Sequence, residues 1–577
     1  MAVENLITEH IDIWTSAVKT KSTSGRGSSK KLELYGIKKL RKLILELAVH
    51  GKLVPQDPND EPADILVQRI MAKKKELLAD GTFKKTKKSK VHDAIISAEE
   101  LPLGWVAADF GDITFNLDAQ RIPLSVSERK GRQGIYDYYG ASGVIDSIDA
   151  YLFDKPLLLI GEDGANLVNR STPIAFMARG KYWVNNHAHV IDGISEDFLI
   201  YLSLYINSIS LIPYITGMAQ PKMNQAKMNS ILVLLPPEKE QHRIVAKVDE
   251  LMTLCDQLEQ QTEASIEAHQ VLLTTLLDTL TNSADADELM QNWARISEHF
   301  DTLFTTEESI DQLKQTILQL AVMGKLVPQD PSDEPATELL KRIAEEKAQL
   351  VKEKKIKKQK ALPPISEDEK PFELPSGWEW CHLNSLISEM DAGWSPACPP
   401  EASPNHETWG VLKTTAVQSM EYREYENKVL SSSKEPRPQY EVKNGDILIT
   451  RAGPKNRVGV SCLVQTTRPK LMISDKIIRF HLIELGMSNN FVSLCLNAGA
   501  TSEYLESSKS GMAESQMNIS QDKLKMAPIP LPPIREQTLI VKKVEELIDL
   551  CDKLKLSLEK GKHAHFQFTD SVIEQAV

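Results

Sequence analysis

Two adjacent carboxylates on one predicted turn are the first residues to consider for chemistry. The segment GEDG, from Gly161 to Gly164, contains Glu162 and Asp163, which could bind a metal or transfer protons. Adjacent side chains on a turn usually point apart, and no cluster of further ligands lies nearby in the sequence. The chain also contains no HExxH helix, no phosphate-binding GxxxxGKS/T loop and no Asn-Pro-Pro-aromatic motif of the methyltransferase kind. The sequence therefore predicts neither a catalytic residue nor a metal site.

The cysteines are not spaced like the ligands of a zinc site. No two of them form a CxxC pair, and none has a histidine at the spacing of a zinc ligand. We expect reduced thiols with structural roles at all six positions: Cys255, Cys381, Cys398, Cys462, Cys495 and Cys551.

A basic turn in the second half of the chain has residue types suited to contacts with DNA bases. The segment TRAGPKNR follows a predicted strand and contains five candidates: Thr450, Arg451, Lys455, Asn456 and Arg457. Arginine can donate two hydrogen bonds to O6 and N7 of guanine, and asparagine can pair in a similar way with adenine. The alternative is a solvated hairpin turn without a ligand.

The first half of the chain offers a second set of candidates. The segment RIPLSVSERKGR contributes Arg121, Arg129 and Arg132. The segment YDYYGASG contributes Tyr138 and Tyr139, which could stack on bases or contact phosphates. Tyrosines this close together are also ordinary strand residues, so both interpretations stay open.

Two similar loops could contact phosphates without reading sequence. In GMAQPKMN and GMAESQMN the candidates are Lys222 and Gln516. Asn224 and Asn518 could hold phosphate too, but each could equally cap a following helix. Because the loops are alike, we do not expect them to read different bases.

The composition limits where nucleic acid could bind. The chain carries a net charge of -12, so only local patches of lysine and arginine could release counterions from DNA. Two lysine runs at matching places, KKTKKSK (84–90) and KEKKIKKQK (352–360), could flank DNA, although solvated linkers are the simpler explanation.

The length predicts several domains. A chain of 577 residues should divide into roughly three to five units instead of one core. No run of about 18 apolar residues suggests a membrane span, and the first residues, MAVENLITEHIDIW, lack the pattern of a signal peptide. We therefore expect a cytoplasmic protein with no membrane partner.

A long internal repeat organises the chain. The segment GKLVPQDPNDEPA at Gly51 returns as GKLVPQDPSDEPA at Gly324, 273 residues later and with one difference. Three more pairs follow in the same order: LPLGW and LPSGW, GMAQPKMN and GMAESQMN, and two related blocks that begin with LPP. The repeated blocks enclose two stretches of little visible similarity, the first insert (106–216) and the second insert (379–510). The sequence thus predicts a tandem duplication of one complex unit.

The repeated blocks have helical patterns that would position the inserts. After each LPP, apolar residues recur in steps of three and four, as in the a/d seam of a coiled coil. The prolines mark where these long helices begin. Gly51 and Gly324 stand where a helix would end, so GKLVPQDP is predicted to terminate one helix before another begins. The inserts contain short β-rich runs between Gly, Asn and Asp, which indicates mixed α/β domains.

This arrangement resembles the DNA specificity subunit of type I restriction-modification enzymes. Two unlike inserts, each closed by an LPP block that leads into a long helix, carry the resemblance over nearly the whole chain, with GEDG in one insert and GDILIT in the other. The resemblance implies an α+β fold, in which an antiparallel pair of long coiled-coil helices separates two mixed α/β target-recognition domains about a pseudo-two-fold axis. Together with the internal repeat, it predicts five segments: an N-terminal helical repeat region (1–100), which some members of the family lack, a first recognition domain (101–235), a central region with a long helix and a second helical repeat region (236–373), a second recognition domain (374–531) and a C-terminal long helix (532–577).

The resemblance also implies the partners. In this family the specificity subunit binds double-stranded DNA, two modification subunits that methylate adenine, and two restriction subunits that translocate and cut DNA. The chain would then be non-catalytic and bind no cofactor itself, with S-adenosylmethionine, ATP and Mg held by its partners. Each recognition domain would read one half of a bipartite target, and the helices would set the spacer.

Two other functions stay open on the sequence alone. A coiled-coil scaffold without a DNA role would fit the acidic charge and the long helices, but it leaves two unlike α/β inserts unexplained. A stand-alone nuclease or methyltransferase would show turnover by itself, whereas the sequence predicts none.

Overall fold

The computed structural model describes residues 9–21, 31–79, 101–217, 220–284, 286–358 and 362–576. The chain folds into two compact units, of which the first contains residues 1–266 and 561–577 and the second contains residues 267–560. Each unit contains one insert, as the tandem duplication predicts. In the described ranges, no helix is long and apolar enough to cross a membrane.

The first unit combines a helical frame with short strands. Its elements in chain order are α1 Ile11–Ser16, β1 Val18–Lys21, β2 Lys31–Leu34, α2 Tyr35–Val49, α3 Ala63–Ala79, β3 Val106–Asp109, α4 Phe110–Ile113, β4 Phe115–Asn116, α5 Val126–Lys130, β5 Tyr136–Gly140, β6 Gly143–Ile148, β7 Phe153–Asp154, β8 Leu157–Gly161, α6 Asn166–Asn169, β9 Ala175–Ala178, β10 Lys181–Val184, β11 Ala188–Asp192, α7 Glu196–Ser208, α8 Gln225–Met228, β12 Leu232–Leu235 and α9 Glu238–Asn282. Residues of α9 beyond Ile266 belong to the second unit.

Two four-stranded sheets build the first insert. One has the order β4-β11-β8-β9, and the other has the order β6-β5-β10-β7 with β5 and β10 parallel. Strand β8 is buried along its whole length, which explains its continuous apolar run. Strand β12 pairs with β3, so the chain that leaves the insert returns beside the segment that opened it.

The second unit has a similar list of elements. They are α10 Ala286–Glu298, α11 Phe300–Leu303, α12 Glu307–Val322, α13 Ala336–Lys352, β13 Glu379–His382, α14 Leu383–Leu386, β14 Ile387–Ala392, β15 Gly410–Leu412, β16 Val417–Gln418, β17 Glu421–Tyr422, β18 Asn427–Val429, β19 Ile447–Thr450, β20 Ala452–Gly453, β21 Ser461–Leu463, β22 Leu471–Met472, β23 Ile477–Leu482, α15 Asn489–Asn497, α16 Gly499–Ser507, β24 Met517–Asn518, α17 Gln521–Lys525, β25 Pro528–Leu531 and α18 Ile534–Ala576. Residues of α18 from Gly561 onward belong to the first unit.

The main sheet of the second insert has the same strand order as that of the first insert, whereas its other sheet, β18-β15-β22, has three strands instead of four. Its main sheet runs β14-β23-β19-β21, where the strands take the places of β4, β11, β8 and β9. Strands β15 and β22 are parallel, as β5 and β10 are, and the flanking pair β13-β25 corresponds to β3-β12. The inserts therefore share a scaffold although little of their sequence aligns, because the strand order depends on the apolar pattern and leaves exposed side chains free to differ.

The repeated turn GKLVPQDP ends a helix in both units, as predicted. Gly51 follows α2 with a φ of 68°, and Gly324 follows α12 with a φ of 72°. In the second unit, the amide of Lys325 donates to the Leu320 carbonyl at 2.9 Å and the amide of Gly324 donates to the Ala321 carbonyl at 3.3 Å. This is the hydrogen-bond pattern of a Schellman cap, and glycine adopts the left-handed conformation that it needs without strain.

The apolar seams of the long helices enter the cores of both units. In the first unit, the early part of α9 shares a core with Val572 near the end of α18. In the second unit, Leu273, Leu277 and Leu280 near the end of α9 share a core with Cys551 in the first half of α18. Within each unit, opposite ends of the two helices thus pack together, as in an antiparallel pair. The buried seam of α9 in the first unit consists of Ile244, Val248, Leu251, Cys255 and Leu258.

Candidate nucleic-acid interface

Two turns meet at one end of the main sheet in each insert. In the first insert, where β8 ends beside the start of β11, the amide of Glu162 donates to the His187 carbonyl at 2.8 Å. In the second insert, where β19 ends beside the start of β23, the amide of Arg451 donates to the Lys476 carbonyl at 2.8 Å. Glu162 and Arg451 therefore occupy equivalent positions of the shared scaffold.

A third segment crosses the same end of each sheet. The amide of Met223 donates to the Glu162 carbonyl at 2.8 Å, and the amide of Ile519 donates to the Arg451 carbonyl at 2.9 Å. The first crossing segment belongs to the loop GMAQPKMN, and the second directly follows the loop GMAESQMN. We name the resulting surfaces edge 1 (residues 162–172, 185–187 and 220–224) and edge 2 (residues 451–457, 474–476 and 511–518).

The two GMA loops differ in which residue caps the helix that follows. Asn224 caps α8 with its side chain, as one of the two alternatives predicted, whereas Ser520 caps α17. The prediction that Asn518 caps a helix is therefore wrong. Gly217 precedes its cap by seven residues and Gly511 precedes its cap by nine, so the second loop is two residues longer.

Positive groups surround the Glu162 carboxylate, the first of the two carboxylates in GEDG. Glu162 is buried and lies 2.9 Å from Arg121 and 3.1 Å from Lys222, counting from its carboxylate oxygens to their nitrogens. His189 binds Asp118 at 2.6 Å and lies 3.8 Å from Glu162. Burial opposes the ionisation of Glu162, but these positive groups outweigh it and hold its pKa below the ordinary value. Lys222 thus lies at edge 1 and Arg121 contacts the edge through Glu162, but both are engaged in an internal ion cluster.

Two of the TRAGPKNR candidates are structural. Thr450 is fully buried, and its hydroxyl donates to the Arg457 carbonyl. The Arg457 guanidinium donates to three acceptors of its own domain, namely Gln418 Oε1 at 2.8 Å, the Thr414 carbonyl at 2.9 Å and the Val417 carbonyl at 3.1 Å. Burial lowers the pKa of Arg457 from its ordinary value. The Thr450 hydroxyl and the two terminal nitrogens of Arg457 are thus engaged within the domain, while Arg457 Nε, which has no hydrogen-bond partner in the described residues, is buried.

The other TRAGPKNR candidates come together with Gln516 at edge 2. Asn456 and Gln516 are exposed and Arg451 is half-buried. In the described part of the chain, none of these three side chains has a hydrogen bond or an ion pair. The Lys455 amide donates to the Glu514 carbonyl at 2.7 Å, which joins the basic turn to the GMA loop. The Lys455 ammonium lies 3.7 Å from the Glu514 carboxylate, a loose and exposed pair.

The other two candidate arginines of the first insert, Arg129 and Arg132, do not join edge 1. Arg129 binds Asp146 at 2.9 Å and lies over the ring of Tyr138 at 4.9 Å. Arg132 binds Asp149 at 2.9 Å and covers a tryptophan ring. Both guanidinium groups pack along the second sheet of the insert, and each already has a carboxylate partner.

The two candidate tyrosines support the same sheet. Tyr138 is fully buried, and its hydroxyl accepts a hydrogen bond from the Leu124 amide at 3.2 Å. Tyr139 packs against Phe176 and Tyr182 with ring centroids 6.0 Å and 5.5 Å away, and burial raises its pKa. The strand interpretation of YDYYGASG therefore accounts for Tyr138, which has no surface for a base or a phosphate.

The sequence interpretation missed the turns that precede β11 and β23. Asn186 in the first and Lys476 in the second are exposed, and neither has a side-chain partner in the described ranges. They belong to edges 1 and 2, beside Glu162 and Arg451. The available signal was a polar turn between two β-rich runs, VNNH in one insert and SDK in the other.

The described part of the second lysine run lies at the end of a helix. KKTKKSK lies outside the described residues. In the second run, Lys352 ends α13, and Lys355 pairs with Glu353 at 2.8 Å just beyond it. A cluster of three or more His, Cys, Asp or Glu that could hold a metal is absent from the described ranges.

Comparisons with known proteins identify the family. A sequence profile described as "Type I restriction modification DNA specificity domain" matches residues 102–268 and 411–560. The EcoEI specificity subunit of Escherichia coli is 53% identical over 602 residues, and the EcoAI specificity subunit of Escherichia coli is 39% identical over 612 residues. Both alignments cover 100% of this chain and 100% of the relative.

One solved structure, the HsdS subunit from Thermoanaerobacter tengcongensis, is 16% identical with a TM-score of 0.38 and aligns over 82% of this chain and 97% of its own. The family assignment depends on the sequence matches, which extend over both inserts and both long helices. The chain therefore belongs to the family of type I restriction-modification DNA specificity subunits, as the doubled blocks around unlike inserts predicted.

Proposed function

We propose that each insert reads one half of a bipartite DNA target through its edge, and that the long helices set the spacer between the halves. The observation that carries this proposal is the pair of equivalent edges. One backbone scaffold occurs twice, yet equivalent positions carry unlike side chains. Glu162 in the first insert corresponds to Arg451 in the second, and His187 corresponds to Lys476. A shared scaffold with different side chains at equivalent positions is what two readers of different sequences require.

In this proposal, the best-defined DNA contacts are those of edge 2. Arg451 and Asn456 are suited to base edges in the major groove, while Lys455, Lys476 and Gln516 are suited to phosphates. Edge 1 offers Asn186 for a base and Lys222 for a phosphate, the latter if DNA displaces it from Glu162. Thr450, Arg457, Tyr138, Arg129 and Arg132 support the fold in this proposal and do not contact DNA.

The partners follow from the family. We propose that two modification subunits methylate adenine within the two half-sites and that two restriction subunits translocate and cleave unmodified DNA. S-adenosylmethionine, ATP and Mg would bind to those partners, and the complex would act in the cytoplasm. The duplicated blocks supply two equivalent surfaces, which suits a partner present in two copies.

Mapping adenine methylation tests the function. Host DNA should carry methylated adenines in one two-part motif when this chain is expressed with its modification partner, and the motif should vanish without the chain. Replacing residues 106–216 by the insert of a relative should change one half of the motif and leave the other half and the spacer unchanged. A change in both halves would contradict two independent readers. Unaltered methylation without the chain would favour a scaffold with no DNA role.

A further inference from the structure

One buried carboxylate occupies the same place in each unit. Glu240, in the first turn of α9, has no exposed surface and accepts hydrogen bonds from Trp105 Nε1 at 3.1 Å and Gln56 Nε2 at 3.2 Å. Glu536, in the first turn of α18, is 2% exposed. It accepts hydrogen bonds from Trp378 Nε1 at 2.9 Å and Gln329 Nε2 at 3.1 Å.

The three partners come from three different segments of the unit. The glutamine belongs to the turn GKLVPQ that ends a helix of the frame, and it also donates to the carbonyl of Gly51 or Gly324 at 2.6 Å. The tryptophan belongs to LPxGW, which opens the insert. The glutamate begins the long helix that follows the insert. The carboxylate therefore joins the frame, the insert and the long helix at one point, which we name the joint.

A carboxylate in this place is costly for folding. Moving a charged group out of water is unfavourable, and burial raises the pKa of both Glu240 and Glu536 against the opposing effect of their hydrogen bonds. An apolar side chain could fill the same volume without that penalty. Unlike an apolar side chain, the carboxylate makes directional contacts. Its two oxygens accept hydrogen bonds from two donors whose positions are fixed by other segments.

We infer that Glu240 and Glu536 are positioning residues, each fixing the angle at which an insert leaves its long helix and thereby the spacing at which the two half-sites are read. This inference extends the proposed function and depends on it. Neither glutamate lies at an edge, so loss of either one should leave the bases of both half-sites unchanged. What should change is the tolerance for spacer length, because a looser joint lets the edge rotate relative to the helix.

The test uses the full chain in complex with its modification partner. The substrate is a DNA pool that joins the two half-sites through spacers from a few base pairs shorter to a few longer than the preferred length. In Glu240→Gln, the amide oxygen still accepts one hydrogen bond, while its NH2 group faces a second donor. We expect the preference for the best spacer over its neighbours to fall roughly threefold to tenfold, as the loss of one such bond allows. Trp105→Phe removes one donor but keeps a ring in the core, and it should have a similar effect.

Controls separate this role from general stability. Glu250→Gln alters an exposed glutamate of the same helix, whose side chain is 66% exposed, and should leave the spacer preference as in the wild type. Glu240→Asp keeps both acceptor oxygens and should retain more of the preference than Glu240→Gln.

A folded Glu240→Gln complex with the wild-type spacer preference, or one with altered half-site bases, would overturn the inference. If Glu240→Gln does not fold, the spacer preference and the half-site bases of Trp105→Phe test the inference instead. A wild-type complex without any two-part preference would overturn the proposed function as well.

Discussion

At the scale of single residues, two arginines six positions apart have opposite environments. Arg451 stands at edge 2 with no hydrogen bond or ion pair to the described chain, whereas Arg457 donates to three acceptors inside the domain. Both belong to one basic segment, and their types alone do not tell them apart. The tertiary structure distinguishes them, because the Arg457 side chain points back beneath the turn and the Arg451 side chain does not.

Alanine at each position should therefore have a different effect. Arg451→Ala should weaken DNA binding by about 1 to 3 kcal/mol and relax the preference at one base pair, with little change in stability. Arg457→Ala removes three hydrogen bonds inside the domain, so it should lower the free energy of unfolding by roughly 1 to 3 kcal/mol without relaxing any base. Competition binding with single-base variants, together with urea unfolding, measures both. Equal weakening on all sequences by Arg451→Ala would indicate a phosphate contact instead.

The ion pair of His189 and Asp118 makes part of the first insert sensitive to pH. Burial opposes the charged imidazole, but the hydrogen bond that His189 donates to the Asp118 carboxylate outweighs it and raises the pKa of His189 above its ordinary value of 6.5. Burial also opposes the charged Asp118, yet the pKa of that carboxyl lies below its ordinary value because of His189 and Arg121. Stabilisation by His189 is complete below its unfolded pKa and is lost as pH rises through the folded pKa.

Hydrogen exchange can detect this loss locally. The amides of β11, Ala188–Asp192, should lose protection as the pH is raised from below the ordinary pKa of histidine through the raised pKa of His189, after correction for the intrinsic exchange rate. In Asp118→Asn, protection near pH 6 should be weaker by roughly 1 to 3 kcal/mol, and its fall with pH should be smaller. Equal pH dependence in the variant and the wild type would show that another group is responsible.

At the scale of elements, the repeated turns are limited by both conformation and space. A Cβ on Gly324 would lie 2.5 Å from Pro375 Cγ, and a Cβ on Gly51 would lie 2.6 Å from Pro102 Cγ. Those prolines belong to LPSGW and LPLGW, so each helix cap packs on the segment that opens the insert. This contact explains why the two blocks are repeated together.

Gly324→Ala should consequently destabilise the second unit by about 1 to 3 kcal/mol, because it combines strain at positive φ with a steric clash. Gly486→Ala is the matched control, since Gly486 has a φ of 82° and no atom within 4 Å of the added Cβ. It should cost about 1 kcal/mol from the backbone alone. Denaturant unfolding compares the two. Similar losses would mean that Pro375 moves aside and that the packing contact is unimportant.

At the scale of the whole molecule, helix length is expected to set the target spacing. Helices α9 and α18 contain 45 and 43 residues, so each extends roughly 65 Å at 1.5 Å per residue. Half-sites about one turn of DNA apart, 34 to 36 Å, lie on the same face of the duplex. Helices of this length can span that distance.

Inserting four residues after Leu258 adds about one helical turn, or 6 Å, to α9. The preferred spacer should then lengthen by one or two base pairs while both half-sites stay the same. Methylation mapping with the lengthened chain measures this directly. A four-residue insertion at residue 433, in a surface stretch of the second insert, should leave the spacer unchanged. An unchanged spacer in the α9 variant would contradict the expectation that helix length sets the target spacing.

The sequence by itself determined the duplication, the helix ends and the family. These conclusions depend on local or repeated features: a glycine where a helix must stop, prolines where the next one starts, and apolar residues at steps of three and four. Such signals lie within a few residues of one another, so they can be read along the chain. The a/d positions from Ile244 to Leu258 are accordingly buried as the pattern predicted.

Only the tertiary structure decided which polar side chains remain available. Tyr138 and Thr450 are buried, and Arg121 and Arg129 have carboxylate partners that lie 41 and 17 residues away in sequence. The cap role went to Ser520 and not to Asn518, because the second GMA loop is two residues longer. Lys476 could be recognised only once its turn was seen beside Arg451. Partners such as these are set by the pairing of distant strands, and neither composition nor spacing along the chain encodes that pairing at the level of single side chains.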